Sequence, residues 1–156
     1  MSNTRKKSPA RLSHLTDKGA LQMVNVAGKP DQRRRAVAEG CVRCARKTIA
    51  LLKKQALPKG DVLAVAKIAG IQAAKTTASL IPLCHPLPLH HVEISFTVRA
   101  DSIAIRAEAE TTGKTGVEME ALVAVSGAAL TIYDMCKAVD KAMVIEGIRV
   151  VEKTKQ

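Results

Sequence analysis

Apolar and polar residues alternate most regularly in VEISFTVR and IAIRAEAE, which lie between residues 92 and 110. In the first segment Val92, Ile94 and Phe96 share one face and polar side chains occupy the other, which is the two-residue period of a half-buried strand. The second segment repeats the alternation after a short ADS turn. The pattern therefore predicts an antiparallel hairpin with one face in solvent.

Three other stretches repeat their apolar residues at helical spacing. The first prediction is a helix from about Gln32 to Gln55, which follows the turn GKPD and has Asp31 as its N-cap. The second is an alanine-rich helix from Val62 to about Ser79, in which Gly70 indicates close packing against a neighbour. The third runs from about Met119 to Val139.

Two further strands complete the predicted order. ALQMVNVAG, at residues 20–28, alternates before the first helix, and a last strand covers about Met143 to Glu152. The order strand, helix, helix, strand, strand, helix, strand predicts an α+β fold with helices packed on one face of an antiparallel sheet. We expect one domain over residues 19–156, preceded by a mobile basic tail at residues 1–18.

The net charge of +11 implies an anionic partner, which could be nucleic acid, a phospholipid surface or a multiply phosphorylated small molecule. Phe96 and Tyr133 are the only aromatic residues, which argues against nucleic acid because single strands are held by aromatic stacking. The longest apolar run, Leu122 to Ile132, is too short to span a bilayer, and no apolar stretch follows the basic N-terminus. We expect a soluble cytoplasmic protein with reduced cysteines.

LCHPLPLHH, at residues 83–91, gathers one cysteine and three histidines, and with the C-x-x-C of Cys41 and Cys44 a zinc site can be drawn. However, EGCVRCARKTIALL is predicted to be helical, and both thiols would face the core there. His90 and His91 open a strand, in which neighbouring side chains point to opposite faces. We therefore predict neither a metal nor another cofactor.

His85 is the candidate for chemistry in this segment. It lies between Cys84 and Pro86 in an irregular, proline-stiffened stretch that joins a helix to a strand, where side chains are often presented to ligands. Imidazole titrates near neutral pH, which suits acid–base work or contact with phosphate. A hydrogen-bonded structural histidine is an equally good interpretation of the same residues.

Two carboxylates follow the glycine-rich stretch TTGKTG. That stretch is not a nucleotide-binding P-loop, because the first glycine of the motif is replaced by Glu108. Glu118 and Glu120, at the predicted helix entry, could supply an acid and a base if crowding separates their pKa values. The alternative is a pair of N-terminal glutamates that interact with the helix dipole.

A carboxylate and two amines occupy one predicted helix edge in TIYDMCKAVDKAM. Asp134 and Lys137 are three residues apart, with Lys141 one turn beyond, and a surface ion pair is one interpretation. Their apolar neighbours allow partial burial, and a partly desolvated lysine would be a better catalyst than an exposed one.

Four motifs in a fixed order, KxxGIQAAK, LIPLCHP, GKTGVEMEAL and IYDMCKA, resemble the cyclic pyranopterin monophosphate synthase family of molybdenum cofactor biosynthesis. The resemblance covers about residues 20–150. It implies a ferredoxin-like fold assembled as a homohexamer, a trimer of dimers, with active sites at a subunit interface. The implied substrate is a 3′,8-cyclic dihydro-GTP, whose purine is rearranged to a pyranopterin while a cyclic phosphate closes and pyrophosphate leaves.

The resemblance also implies the site residues. It makes Asp134 the catalytic aspartate and Lys59 and Lys137 the essential lysines. The implied substrate contacts are Leu83, Cys84, His85, Met119, Glu120 and Arg34, the last of them to the triphosphate. Glu118 and Glu120 are also implied as catalytic carboxylates. Where the family commonly has MVDV this chain has Asn25, which removes one negative charge.

Two rival hypotheses stay open at this point: a basic nucleic-acid-binding module and a non-catalytic homologue that only binds a pterin or nucleotide.

Overall fold

A four-stranded antiparallel sheet is the framework of the protein in the computed structural model, which describes residues 14–16 and 18–156. The elements in chain order are β1 (Gln32–Arg43), α1 (Arg46–Lys53), α2 (Val62–Lys75), α3 (Thr77–Leu80), β2 (Leu89–Val98), β3 (Ser102–Gly113), α4 (Glu118–Cys136) and β4 (Val144–Lys155). The strands pair in the order β2-β3-β1-β4. The predicted α+β class, an antiparallel sheet with helices, is confirmed. The predicted tail at residues 1–18 lies mostly outside the described residues.

The predicted hairpin is confirmed as β2 and β3. Ile94 pairs with Ala107 and Phe96 with Ile105, so apolar side chains of both strands reach the same face. That face is buried under the helices, and the opposite face carries charged residues that pair across strands. Arg35 of β1, for example, forms an ion pair with Glu108 of β3 at 2.6 Å.

The predicted helix from Gln32 to Gln55 is wrong over its first half. Residues 32–43 form the central strand β1, which pairs with β3 on one side and β4 on the other, and helix starts only at Arg46. Asp31 consequently caps no helix. Val37, Cys41 and Thr48 recur at helical spacing across this stretch, but strand pairing on both edges outweighs weak local propensity.

The same correction applies to the cysteines and to the first predicted strand. Cys41 lies half-buried in β1 and Cys44 is buried just beyond it, so the two thiols do not share a helix face. Residues 20–28 form no strand, and a single bridge between Leu15 and Leu21 is the pairing described for that region. Side chains from elsewhere in the chain contact its backbone instead: His85 bonds to the Val24 carbonyl and Lys114 donates to the Ala27 carbonyl.

Helices α2 and α4 cover the apolar face of the sheet, and two glycines let them approach closely. A side-chain carbon at Gly40 of β1 would lie 2.7 Å from Val125 Cγ1 of α4. One at Gly70 of α2 would lie 2.8 Å from the carbonyl oxygen of Ala124, which supports the close packing predicted for Gly70. Among the described residues α4 alone is long and apolar enough to cross a membrane, and 50% of that window is buried inside the fold.

Replacing Gly70 with alanine tests this close packing. We expect Gly70→Ala to lower the free energy of unfolding by about 1–3 kcal/mol, because the overpacked contact with the α4 backbone outweighs the better helix propensity of alanine. Urea denaturation at fixed protein concentration measures the change. Gly28→Ala is the matched control, since nothing lies within 4 Å of its added carbon. Equal stability of the Gly70 variant and the wild type would contradict the prediction.

Candidate active site

The candidate residues fall into two clusters at opposite ends of α4. Glu118 is the first residue of this helix, and Asp134 lies in its last turn. Sixteen helical positions separate them, which corresponds to about 24 Å along the helix axis. Within one chain, the residues implied by the family motifs therefore cannot surround one small molecule.

The first cluster lines a cleft of about 360 Å³ at the N-terminal end of α4, called here the N-terminal cleft. Residues from three parts of the chain meet there: the segment before β1, the loop before β2 and the start of α4. The predicted residues in its lining are Leu83, Cys84, His85, Glu118, Met119 and Glu120. The structure thus brings six of the sequence-derived candidates into one place.

His85 is held by the backbone of the segment that precedes β1. Its Nε2 lies 2.7 Å from the carbonyl oxygen of Val24. A carbonyl oxygen only accepts hydrogen bonds, so Nε2 carries the hydrogen, and in the neutral ring Nδ1 is left as an acceptor. Val24 and Val26, half-buried beside it, form part of the cleft wall.

The two glutamates of the N-terminal cleft have different environments. Glu120 is only 4% exposed, and its Oε2 has no hydrogen-bond partner in the described part of the chain. Burial raises the pKa of its carboxyl, a backbone N–H opposes this, and the charge of Glu118 raises it further. Glu118 instead forms an ion pair with Lys153 of β4. Glu120 is therefore suited to carry a proton, whereas Glu118 takes part in an ion pair.

Lys153 is a site residue that the sequence reasoning missed. It comes close to Glu118 because β4 pairs with β1, where Lys153 is opposite Ala36. The two residues of the ion pair are 35 positions apart, and no local spacing connects them. A signal could have come only from a correct prediction of the strand order.

A basic cleft of about 480 Å³ adjoins the N-terminal cleft and shares Lys29, Thr115 and Gly116 with it. Its other basic lining residues are Arg34, Lys114 and Lys155, and none of the acidic residues that the structure describes lines it. Arg34, predicted to contact phosphate, donates to Gln32 Oε1 at 3.0 Å, while its buried Nε has no partner in the described residues. The arrangement can accept an anion.

The second cluster surrounds Asp134 at the C-terminal end of α4. Lys59 Nζ is 2.7 Å from Oδ2 of Asp134, and Lys137 Nζ is 2.7 Å from Oδ1. The hydrogen bond from Lys137 and then that from Lys59 lower the pKa of the aspartate to about 2, and the partner carboxylate raises the pKa of Lys137. The partial burial expected for Lys137 is wrong for a single chain, because 55% of its side chain is exposed.

No group of three or more histidine, cysteine, aspartate or glutamate side chains is placed to bind a metal ion within residues 14–16 and 18–156. The two thiols of the C-x-x-C lie beside β1, whereas Cys84 and His85 line the N-terminal cleft. His90 and His91 lie at the start of β2, where the register pairs His91 with Glu110.

The fold and the two clusters together define a class of protein: an α+β protein whose site residues are suited to acid–base chemistry on an anionic ligand. A model of the MoaC family matches residues 23–156. The chain therefore belongs to the MoaC family, which confirms the resemblance drawn from its motifs.

Curated relatives carry names that describe their activity. The cyclic pyranopterin monophosphate synthase of Oleidesulfovibrio alaskensis is 56% identical over 144 residues, with 91% of each chain covered. That of Heliobacterium modesticaldum is 57% identical over 145 residues, covering 92% of this chain and 91% of the relative. A molybdenum cofactor biosynthesis bifunctional protein of Chlorobaculum tepidum is 58% identical over 142 residues, which cover 91% of this chain but 46% of that protein.

Replacing Glu120 tests how far the burial of its carboxyl lowers the stability of the folded protein. Since its pKa is raised in the folded state, the carboxyl favours folding at acidic pH, and that contribution is lost as pH rises through the folded-state pKa. Glu120→Gln should therefore have a higher Tm than the wild type at neutral pH, and the difference should shrink toward acidic pH. Glu118→Gln, which breaks the ion pair with Lys153, should not stabilise the protein. A lower Tm for Glu120→Gln at neutral pH would contradict this interpretation.

Proposed function

We propose that the protein is a cyclic pyranopterin monophosphate synthase, a phosphorus–oxygen lyase of molybdenum cofactor biosynthesis. Its substrate is (8S)-3′,8-cyclo-7,8-dihydroguanosine 5′-triphosphate, and its products are cyclic pyranopterin monophosphate and pyrophosphate. Family membership and near-complete coverage of synthases at 56% and 57% identity support the reaction. We place the reaction in the cytoplasm, with no cofactor required.

The division of the site into two clusters carries the proposal for assembly. A single chain holds them about 24 Å apart along α4, so one substrate cannot contact both. We propose that the Asp134 cluster of one copy faces the N-terminal cleft of another, within a homohexamer built as a trimer of dimers. Each subunit would then contribute to two sites, one at each end of its α4.

The outer faces of the helices support this assembly. Val65 and Ile68 of α2 are 44% and 69% exposed, and Leu130 of α4 is 62% exposed. Both helices are apolar around most of their circumference, as is typical of helices covered on more than one side. A second copy packed on this layer would bury these side chains.

The basic cleft is the place we propose for the triphosphate. Arg34, Lys29, Lys114 and Lys155 line it, and the charge-assisted hydrogen bonds of such groups to phosphate are among the stronger ones in proteins. Because this cleft shares part of its wall with the N-terminal cleft, the purine end of the same molecule would reach Glu120 and His85.

The chemistry we propose follows from the protonation states of the groups. Opening the imidazole ring, closing onto a carbonyl and displacing pyrophosphate each move protons. Glu120, whose pKa is raised, is the proton donor, whereas Asp134, kept ionised by two lysines and therefore a weak base, holds their ammonium groups in position. Lys59 and Lys137 stabilise negative charge that develops in the transition state.

A nucleic-acid-binding role is the rival that the net charge of +11 suggested. Phe96 and Tyr133, the only aromatic residues, are both partly buried and packed against the hydrophobic core. Neither offers a free ring on which bases could stack. Four basic side chains instead line a cleft of about 480 Å³, which is a volume that suits a small anionic molecule.

A turnover assay tests the enzyme and its lysine directly. Purified protein with the cyclic dihydro-GTP substrate should release pyrophosphate and form a pterin that is fluorescent after oxidation. Lys137→Ala should reduce kcat by roughly 10²-fold or more without unfolding the protein, because a positioned charge is lost. Lys141→Ala, an exposed neighbour, is the control and should retain activity. Absence of wild-type turnover would remove the enzyme proposal, and a loss below about tenfold would remove the role of Lys137.

Mixed assemblies test whether each site draws on two copies. Co-expressed Lys137→Ala and Glu120→Ala subunits, each inactive alone, should together recover about one quarter of the activity, because random assembly joins two intact halves at one site in four. Lys137→Ala mixed with Lys59→Ala is the control, since both changes affect the same half and no intact site can form. No recovery in the first mixture would contradict the proposed shared site.

A further inference from the structure

Asp140 is a buried carboxylate just beyond α4 that the proposed chemistry does not use. It is 7% exposed, and both of its oxygens accept hydrogen bonds. Oδ2 accepts from the Ala45 backbone N–H at 2.7 Å and from the Thr48 hydroxyl at 3.0 Å, while Oδ1 accepts from Ala142 N–H at 3.1 Å. With its oxygens occupied, Asp140 is not available to a substrate.

These hydrogen bonds connect two distant parts of the chain. Ala45 is the N-cap residue of α1 and has no side chain that could cap the helix. Asp140, 95 residues later, places a carboxylate there, where helix N–H groups and the helix dipole favour negative charge. The Ala45 N–H is the main cause of the lowered pKa of Asp140, so the carboxylate stays charged.

On one side, Asp140 ends the turn that carries Lys137. The backbone N–H of Lys137 donates to the carbonyl oxygen of Tyr133 at 2.9 Å. The backbone N–H of Asp140 donates to the carbonyl oxygen of Cys136 at 3.0 Å. Lys137 therefore lies between the rigid end of α4 and the anchored Asp140. Without the anchor this turn would be an ordinary helix terminus, which frays easily.

On the other side, Asp140 fixes the start of the segment that leads to Lys59. Helix α1 ends at Lys53, Gln55 just after it is in the left-handed region with φ 51°, and Leu57 is then buried. Lys59 follows two residues later and donates to both the carboxylate and the backbone carbonyl of Asp134. Asp140 is thus bonded to both chain segments whose lysines meet at Asp134.

We infer that Asp140 is a positioning residue for the Asp134 cluster: by capping α1 from the turn after α4, it holds Lys137 and Lys59 in place beside Asp134. Its effect on turnover rests on the proposed function, whereas its effect on the geometry of the cluster does not. A cap that served stability alone would leave the contacts of Asp134 unchanged when it was removed.

The first test needs no substrate. The chain has six aspartates, so selective ¹³C labelling of their carboxyl groups gives a small set of signals, and Asp134→Asn identifies the signal of Asp134. The pKa of that carboxyl, about 2 in the wild type, should rise toward its usual value in Asp140→Ala, in the same direction as in Lys137→Met. The titration would report a change in the distance from the Asp134 carboxyl to the groups around it, which are Lys59, Lys137 and Tyr133.

The second test uses turnover. Asp140→Ala should lower kcat by roughly tenfold. Because it acts through Lys137, adding it to Lys137→Ala should cause little further loss. Gly70→Ala, which disturbs the packing of α4 at Ala124, ten residues before Asp134, is the control for lowered stability and should leave both the Asp134 pKa and kcat unchanged. Thr48→Val removes one hydrogen bond to Asp140 and gives a second variant, with smaller changes in the same direction, if Asp140→Ala does not fold.

The results separate the two proposals. An unchanged Asp134 pKa in a folded Asp140 or Thr48 variant would overturn the positioning role, whatever the activity. A raised pKa in a protein that never turns over substrate would support the positioning role while removing the proposed function. Asp140→Asn, which keeps one acceptor oxygen at the α1 N-terminus, should restore part of the wild-type behaviour.

Discussion

The close approach of α4 to the backbone of its neighbours is the constraint on which the rest of the structure depends. Gly40 of the central strand and Gly70 of α2 lack the side-chain carbon that would collide with this helix. Helix α4 therefore packs closely against β1 on one side and α2 on the other, which fixes its position relative to both. Because it spans 19 residues, its two ends lie far apart, and each end carries one half of the candidate site.

The helix dipole and burial together explain why the two halves differ. Glu118 at the N-terminus and Lys137 at the C-terminus both have the charge that the dipole favours. Asp134, in the last turn, has the opposite charge, and two lysines compensate for it. Glu120 would be stabilised by the dipole, but its burial raises its pKa instead. One end therefore has a buried carboxyl with a raised pKa, while the other holds an ionised carboxylate between cations.

An apolar pattern confined to one element predicts that element correctly, whereas a pattern that continues across the boundary between two elements misleads. The β2–β3 hairpin, α2, α4 and β4 follow the predicted segments closely, because each has a long and regular apolar pattern. Strand β1 escapes prediction because Val37, Cys41 and Thr48 recur at helical spacing, although the first two lie in the strand and Thr48 lies in α1. The glycine in this strand has a tertiary cause, since a side-chain carbon at Gly40 would collide with Val125 of α4. The segment at residues 20–28 alternates like a strand, but it has no continuous pairing partner.

The sequence by itself determined the element types with strong patterns, the chemical identity of the site residues and, through its motifs, the family. Tertiary structure alone decided which of those residues meet. Lys59 and Asp134 are 75 positions apart yet form an ion pair, and Lys153 reaches Glu118 only through the order of the strands. Glu118 and Asp134 are close in sequence yet separated by the full length of α4. Residues far apart in the sequence can lie close together in the fold because packing against distant segments sets the path of the backbone.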